Sequence, residues 1–234
     1  MSVQSSGAGR ARKRRGHIVV ATASTVVGAI AVAAVSYLLW PTWTAAGPSD
    51  PGRLPISIGN TLFNVPTSGV RMTVQRHSGP QDRVDLAFSY PSLSPGIETH
   101  HVSSETVEQT PQTIDVLFVS IAAHGNALAP EERARTIYPR YLDPTAAATT
   151  TDGLTQHAFR DGSPYAAEDL FVATDPELVA RCSRDGATPG MCLSERRIGG
   201  ADLTFRFPRA WLSDWRGIAG AMQHIVEDLY KPRA

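Results

Sequence analysis

Residues 18–40 run for twenty-three positions without a charged side chain, and Arg10, Arg12, Lys13, Arg14 and Arg15 stand just before them. A helix of that length rises about 34 Å, enough to cross a hydrocarbon layer of about 30 Å. The sequence therefore predicts a transmembrane signal anchor over 18–40. A cleavable signal peptide is the competing reading. Its apolar core would be shorter, about 7–15 residues, although Thr44-Ala45-Ala46 offers small residues for cleavage. Tyr37, Trp40 and Trp43 suit the far membrane interface, where amphipathic rings sit at headgroup level, so the anchor is preferred.

Orientation follows from charge. The first seventeen residues hold five basic side chains and no acidic one. By the positive-inside rule this tail stays in the cytoplasm and everything after the span is exported, which predicts an inner-membrane, single-pass protein with a periplasmic domain. With the five tail residues set aside, 17 basic side chains face 22 acidic ones, leaving a net charge of −5. A mildly acidic body argues against a role on nucleic acid. The expected partners are the lipid bilayer, through residues 18–40, and an unidentified protein. The domain plan is a basic tail over 1–17, the anchor over 18–40, a Pro/Gly-containing linker over 41–55 and one exported domain over 56–234.

Cys182 and Cys192 are the only cysteines, and Asp185-Gly186 and Pro189-Gly190 between them are turn formers. In an oxidising compartment the pair predicts a disulfide that clamps one hairpin loop. Neither Cys-x-x-Cys spacing nor nearby metal ligands support a redox or zinc reading.

Period-two alternation predicts a strand over 56–65, then a hairpin whose arms hold Val70, Met72 and Val74 in one and Val84, Leu86, Phe88 and Tyr90 in the other. Asp85, Ala87 and Ser89 fall on the opposite face. Residues 114–123 are apolar on both faces, as a covered central strand requires. Pro130-Glu131-Glu132 opens a short helix expected to end near Leu142, ahead of Pro144. Residues 143–153 read as a connector. Strands follow over 154–160, 166–174, 178–183 and 191–198. Gly199-Gly200 signals a tight hairpin that sets Arg197 opposite Asp202 and buries Ala201, Leu203, Phe205 and Phe207. From Trp211 to Leu229 apolar residues recur at three- and four-residue spacing, predicting an amphipathic helix of about twenty residues packed on the sheet. The fold class is α+β: a mostly antiparallel sheet of seven or eight strands with two helices, behind an N-terminal transmembrane helix.

No phosphate loop, His-Glu-x-x-His, Gly-x-Ser-x-Gly or Ser-x-x-Lys motif occurs. No catalytic, cofactor-binding or metal-ligating residue is assigned, and no cofactor is expected. His100, His101, Glu105 and His124 are the nearest approach to a metal set. Adjacent histidines on an extended chain point opposite ways, so solvated loop histidines are the simpler reading. Arg71, Arg76, Arg83, Asp82 and Asp85 read as the wet face of a sheet rather than an anion site.

Gly59, Val65-Pro66, Gln75-Arg76, Gly79, Arg83-Val84-Asp85-Leu86 and Pro91-Ser92-Leu93 together resemble uncharacterised single-pass, membrane-anchored proteins of Gram-negative bacteria. The resemblance spans residues 55–95 and the anchor. It implies an inner-membrane anchor with a periplasmic domain, and it brings no activity and no functional residues. Two functions remain in view. The first is a non-catalytic envelope domain in a protein-interaction or accessory role. The second is a membrane-tethered periplasmic hydrolase with a site around the 91–112 loop.

Overall fold

The computed structural model describes residues 52–97 and 114–230, together with positions 32 and 35. The chain divides into two units, Met1–Gly47 and Pro48–Ala234. Val32 and Val35 are helical and exposed. The rest of the expected anchor, the basic cluster Arg10, Arg12, Lys13, Arg14 and Arg15, and most of the linker lie outside the described residues. Among the described residues no helix is long and apolar enough to cross a membrane.

The second unit has α+β architecture with one large antiparallel sheet and two α-helices. Strands β1 (Arg53–Ile58), β2 (Thr61–Pro66) and β3 (Gly79–Pro80) form a small sheet in the order β2-β1-β3. The large sheet contains β4 (Arg83–Ser89), β5 (Val116–Ala123), β6 (Thr149–Thr151), β7 (Leu154–Ala158), β8 (Glu168–Thr174), β9 (Glu177–Ser183), β10 (Met191–Ile198) and β11 (Ala201–Pro208). Their spatial order is β4-β5-β11-β10-β9-β8-β7-β6. Helix α1 (Pro130–Thr136) lies between β5 and β6 in sequence, and α2 (Trp215–Leu229) is the last element among the described residues.

One face of the large sheet carries the main core. Leu86, Val119, Leu203, Phe205 and Phe207 point into it, and the apolar stripe of α2 (Trp215, Ile218, Met222, Ile225, Leu229) belongs to the same cluster. Ile56, Ile58, Phe63 and Val65 of the small sheet complete it. Each such side chain contributes about 1.5–3 kcal/mol by leaving water. A second, smaller cluster gathers Tyr138, Phe159 and Leu170. The Gly199-Gly200 hairpin has the register expected of a two-residue turn, Ile198 opposite Ala201 and Arg197 opposite Asp202. Arg197 Nε donates to Asp202 Oδ1 at 2.7 Å.

Several boundaries differ from the sequence expectation. Residues 53–66 are two strands rather than one, folded at Gly59-Asn60, whose φ angles of 53° and 65° make the left-handed turn that suits a twisted hairpin. The first of these strands begins at Arg53, inside the stretch read as linker. The segment after Val70 is not a strand arm. Val70 makes a single bridge to Leu86, Thr73–Gln75 is a 3-10 turn, and Met72 and Val74 are 52% and 76% exposed. The Gln75 amide explains the departure. Its Oε1 accepts the Asp85 backbone N–H at 3.0 Å and its Nε2 donates to Asp85 Oδ2 at 3.2 Å, so a side chain covers the β4 edge where backbone was expected. Ala87 and Ser89, on the face opposite Val84, Leu86 and Phe88, are buried as well. Helix α1 stops at Thr136 and passes into a 3-10 turn over Tyr138–Tyr141. Pro139 has no N–H for an α-helical bond and disfavours helix at the residue before it. The 143–153 connector holds β6, turned into β7 at Asp152-Gly153. The final helix is likewise split. Arg209–Asp214 is 3-10, and α2 starts where Asp214 Oδ1 accepts the Gly217 N–H.

Asp85 sits in a polar network. Burial alone would raise its carboxyl, but hydrogen bonds from Arg83, Ser120 and Gln75 outweigh burial and hold it below the ordinary carboxylate value. A folded pKa below the unfolded one makes this carboxylate stabilising above the unfolded value of about 4, and the contribution is lost as pH falls below that. Asp85→Asn should therefore cost stability at pH 7 and little at pH 3. Urea midpoints at the two pH values check this; an equal deficit at both would refute it.

Candidate functional site

Strands β9 and β10 are neighbours, yet they pair over only three positions, Cys182 with Cys192, Arg181 with Leu193 and Ala180 with Ser194. Beyond Ser194 the two strands part. Glu177–Val179 of β9 then pair with β8 alone, and Glu195–Ile198 of β10 with β11 alone. Backbone groups that a continuous ladder would satisfy find side chains instead. The Arg197 N–H donates to Glu131 Oε1 of α1 at 3.2 Å. The Glu177 carbonyl accepts from Arg196 Nη2 at 3.4 Å, and the Val179 carbonyl accepts the Ser194 hydroxyl at 2.8 Å.

This split forms one side of a groove of about 490 Å³, and α1 with Tyr138 forms the other. Its floor is apolar (Ala134, Tyr138, Leu170, Val172, Val179, Leu193), and its rim carries Glu131, Arg135, Glu177, Arg181, Glu195, Arg196 and Arg197. Most rim charges are matched inside the protein. Arg181 pairs with Glu168 at 2.7 Å, Arg133 with Glu195 at 3.0 Å and Arg197 with Asp202 at 2.7 Å. Arg181 also lies over the Tyr138 and Tyr165 rings at 5.4 and 4.9 Å. Burial raises the Tyr138 phenol above its ordinary value and lowers the Arg196 guanidinium below its own. Arg196 bonds the Gln223 amide at 2.7 Å, and among the described residues it makes no ion pair.

Cys182 and Cys192 are disulfide-bonded across the paired end of the same two strands. The bridge clamps the β9–β10 loop and holds the closed end of the ladder whose other end is open. Replacing both cysteines by serine should cost about 3 kcal/mol through the loop entropy of the unfolded chain. Comparison of urea unfolding for the two proteins tests this, and a difference below about 1 kcal/mol would contradict it.

Of the other residues weighed in the sequence, His100, His101 and Glu105 lie outside the described residues. His124 is half-buried at the end of β5. Its backbone N–H donates to the Gly200 carbonyl at 3.2 Å, and its Nδ1 is buried without a hydrogen-bond partner among the described residues. Among those residues no group of three or more His, Cys, Asp or Glu side chains could hold a metal ion. The charges of the first hairpin are engaged within the protein: Arg83 bonds Asp85, Arg76 bonds the Val70 carbonyl, and Arg71 lies 4.7 Å over the Phe118 ring. The groove was not legible in the sequence.

No family model matches this chain, and no curated protein matches it in sequence. Two solved structures are similar to it. Smlt3025, an immunity protein of the Stenotrophomonas maltophilia type IV secretion system, has a TM-score of 0.49 at 14% identity, covering 80% of this chain and 100% of its own. The Neisseria meningitidis iron-regulated outer membrane lipoprotein FrpD has a TM-score of 0.40 at 9% identity, covering 76% and 93%. Both scores fall below 0.5, so neither likeness carries an argument about what this chain binds.

Proposed function

We propose that this chain is a membrane-anchored envelope protein of non-catalytic type, whose domain binds another protein through the groove between α1 and the parted β9–β10 strands. The groove carries the reading. Its apolar floor is half-buried at Ala134, Val172, Val179 and Leu193, and its rim charges are mostly neutralised by internal partners, a combination suited to a desolvated contact with protein surface. The anchor at 18–40 and the basic cluster from Arg10 to Arg15 support an inner-membrane site with the domain in the periplasm. The Cys182–Cys192 bridge agrees with an oxidising compartment. Likeness to uncharacterised single-pass proteins of Gram-negative bacteria points the same way.

Intact protein extracted from membranes should bring down a partner in fixed ratio, and Leu193→Arg, which places a charge on the groove floor, should lose it. Wild-type protein recovered alone, or a partner retained by the variant, would remove the proposal. Free thiols at Cys182 and Cys192 in a soluble cytosolic fraction would remove the localisation.

A further inference from the structure

The groove has one property that a plain apolar cleft lacks: a free strand edge. From Glu195 to Ile198 the side of β10 that faces β9 makes no ladder pair with any strand among the described residues. At Arg197 the exposed N–H is held by a carboxylate borrowed from α1, and at Glu177 the carbonyl is held by a guanidinium, at 3.2 and 3.4 Å. Both groups lie at the exposed end of the strands, and both are paired by side chains rather than by a neighbouring strand. A free edge is a template for another extended chain, whose main chain supplies the missing partners in register. A helix has no spare N–H or carbonyl along its flank and could not replace Glu131 or Arg196 in this way.

We infer that the occupant of the groove is an extended segment of the partner protein, added as a strand along β10 at Glu195–Ile198. The inference rests on the protein-binding reading above and specifies its mode. The segment displaces Glu131 from the Arg197 N–H. Because side chains of an extended chain alternate between faces, every second one enters the floor formed by Tyr138, Val172, Val179 and Leu193, and these positions take uncharged apolar residues. The positions between them face the α2 side of the sheet, beside Arg196 and Gln223, and accept polar residues. The disulfide keeps the ladder shut at its other end, so the incoming strand has a defined length and stop.

The probe is a display library of random twelve-residue peptides panned on the full-length, disulfide-bonded protein in detergent. The expected result is enrichment of peptides with apolar residues at every second position. Their binding should be lost in Leu193→Arg and should weaken at least tenfold when single alternate backbone amides are N-methylated. Glu131→Ala, which frees the Arg197 N–H in advance, should tighten binding about fivefold, an effect that a merely structural role for Glu131 would not produce. Thermal unfolding of both variants verifies that they fold; if Leu193→Arg does not, Glu131→Ala and the N-methyl series decide alone. Groove-dependent peptides with three- and four-residue apolar spacing would overturn the strand mode and leave the protein-binding reading standing. Peptides indifferent to N-methylation, or Glu131→Ala with unchanged affinity, would overturn the strand mode as well. If no peptide depends on the groove, the strand mode falls, and recovery of the membrane partner by Leu193→Arg decides whether the wider reading falls with it.

Discussion

Asp169→Ala should lower stability by about 3–5 kcal/mol, the largest loss expected from any polar substitution here. Asp169 is 3% exposed and points into the sheet between two arginines. Arg209 Nη2 donates to Oδ2 at 2.7 Å, Arg184 Nε to Oδ1 at 3.0 Å, and Gln156 Nε2 to Oδ2 at 3.0 Å. Arg209 also stands 5.0 Å over the Phe171 ring and donates to the Ser183 carbonyl at 3.2 Å, so its guanidinium cannot swing to solvent without breaking other contacts. Removing the carboxylate leaves a positive group with 17% of its side chain exposed and no other ion pair among the described residues. In a domain of this size the loss corresponds to a fall in Tm of about 10 °C. A cycle separates charge from packing: Arg209→Met in the Asp169→Ala background should recover part of the loss, because the stranded charge is gone. A Tm within 2 °C of wild type for Asp169→Ala would contradict the account. The residue also matters to the groove, since it joins β7, β8, the end of β9 and the end of β11 beneath the disulfide. That end must stay closed while the other stays open.

How far the sequence could be read depended on the range of the interactions that decide each element. Period-two alternation and a Gly-Gly turn are local, so β10, β11 and their register follow from residues 191–208 alone. The three- and four-residue stripe of α2 is equally local, and the helix is there. Residues 70–75 alternate as well, yet they do not form a strand, because the Gln75 side chain competes successfully for the β4 backbone. Alternation cannot register such a contact. The end of α1 is marked by Pro139, which precedes Pro144 and stops the helix at Thr136. The groove belongs to a third kind. It exists because two strands that follow one another pair over three positions and then diverge, and Glu131, sixty-six residues away, takes up an orphan N–H. No single-chain pattern encodes that divergence. Asp169 shows the same limit, for its arginines come from positions 184 and 209 and the sequence marks none of the three as special.

Gly200→Ala should cost about 3 kcal/mol or more, although it adds a single methyl group. The Gly199-Gly200 hairpin of the large sheet lies directly against the Gly59-Asn60 hairpin of the small one. A Cβ on Gly200 would overlap the Gly59 carbonyl oxygen, and a Cβ on Gly59 would overlap the Gly200 carbonyl oxygen. Both obstacles are backbone, so no side-chain rotation relieves them. Thr61 binds the two turns together: its Oγ1 accepts the Gly200 N–H at 2.7 Å and donates to the Ile198 carbonyl at 3.5 Å. Separating the turns by the width of a methyl group would break these bonds and loosen the packing of Ile58 and Phe63 in the core cluster they share with Leu203. Thr61→Val, which removes the acceptor without adding bulk, should cost less, about 1–3 kcal/mol. Gly220→Ala is the internal control. Gly220 is an exposed residue inside α2, and a Cβ there meets nothing within 4 Å. The same chemical change should therefore raise stability by about 0.5–1 kcal/mol through helix propensity. Thermal and urea unfolding of the three variants gives the order directly, and amide exchange should be fastest in β1 and β2 of Gly200→Ala if the two sheets have come apart. Should Gly200→Ala and Gly220→Ala prove equally stable, the two hairpins are not packed backbone to backbone. Because Ile198 is both the end of the free β10 edge and the residue held by Thr61, a loosened turn should also weaken whatever strand the groove receives.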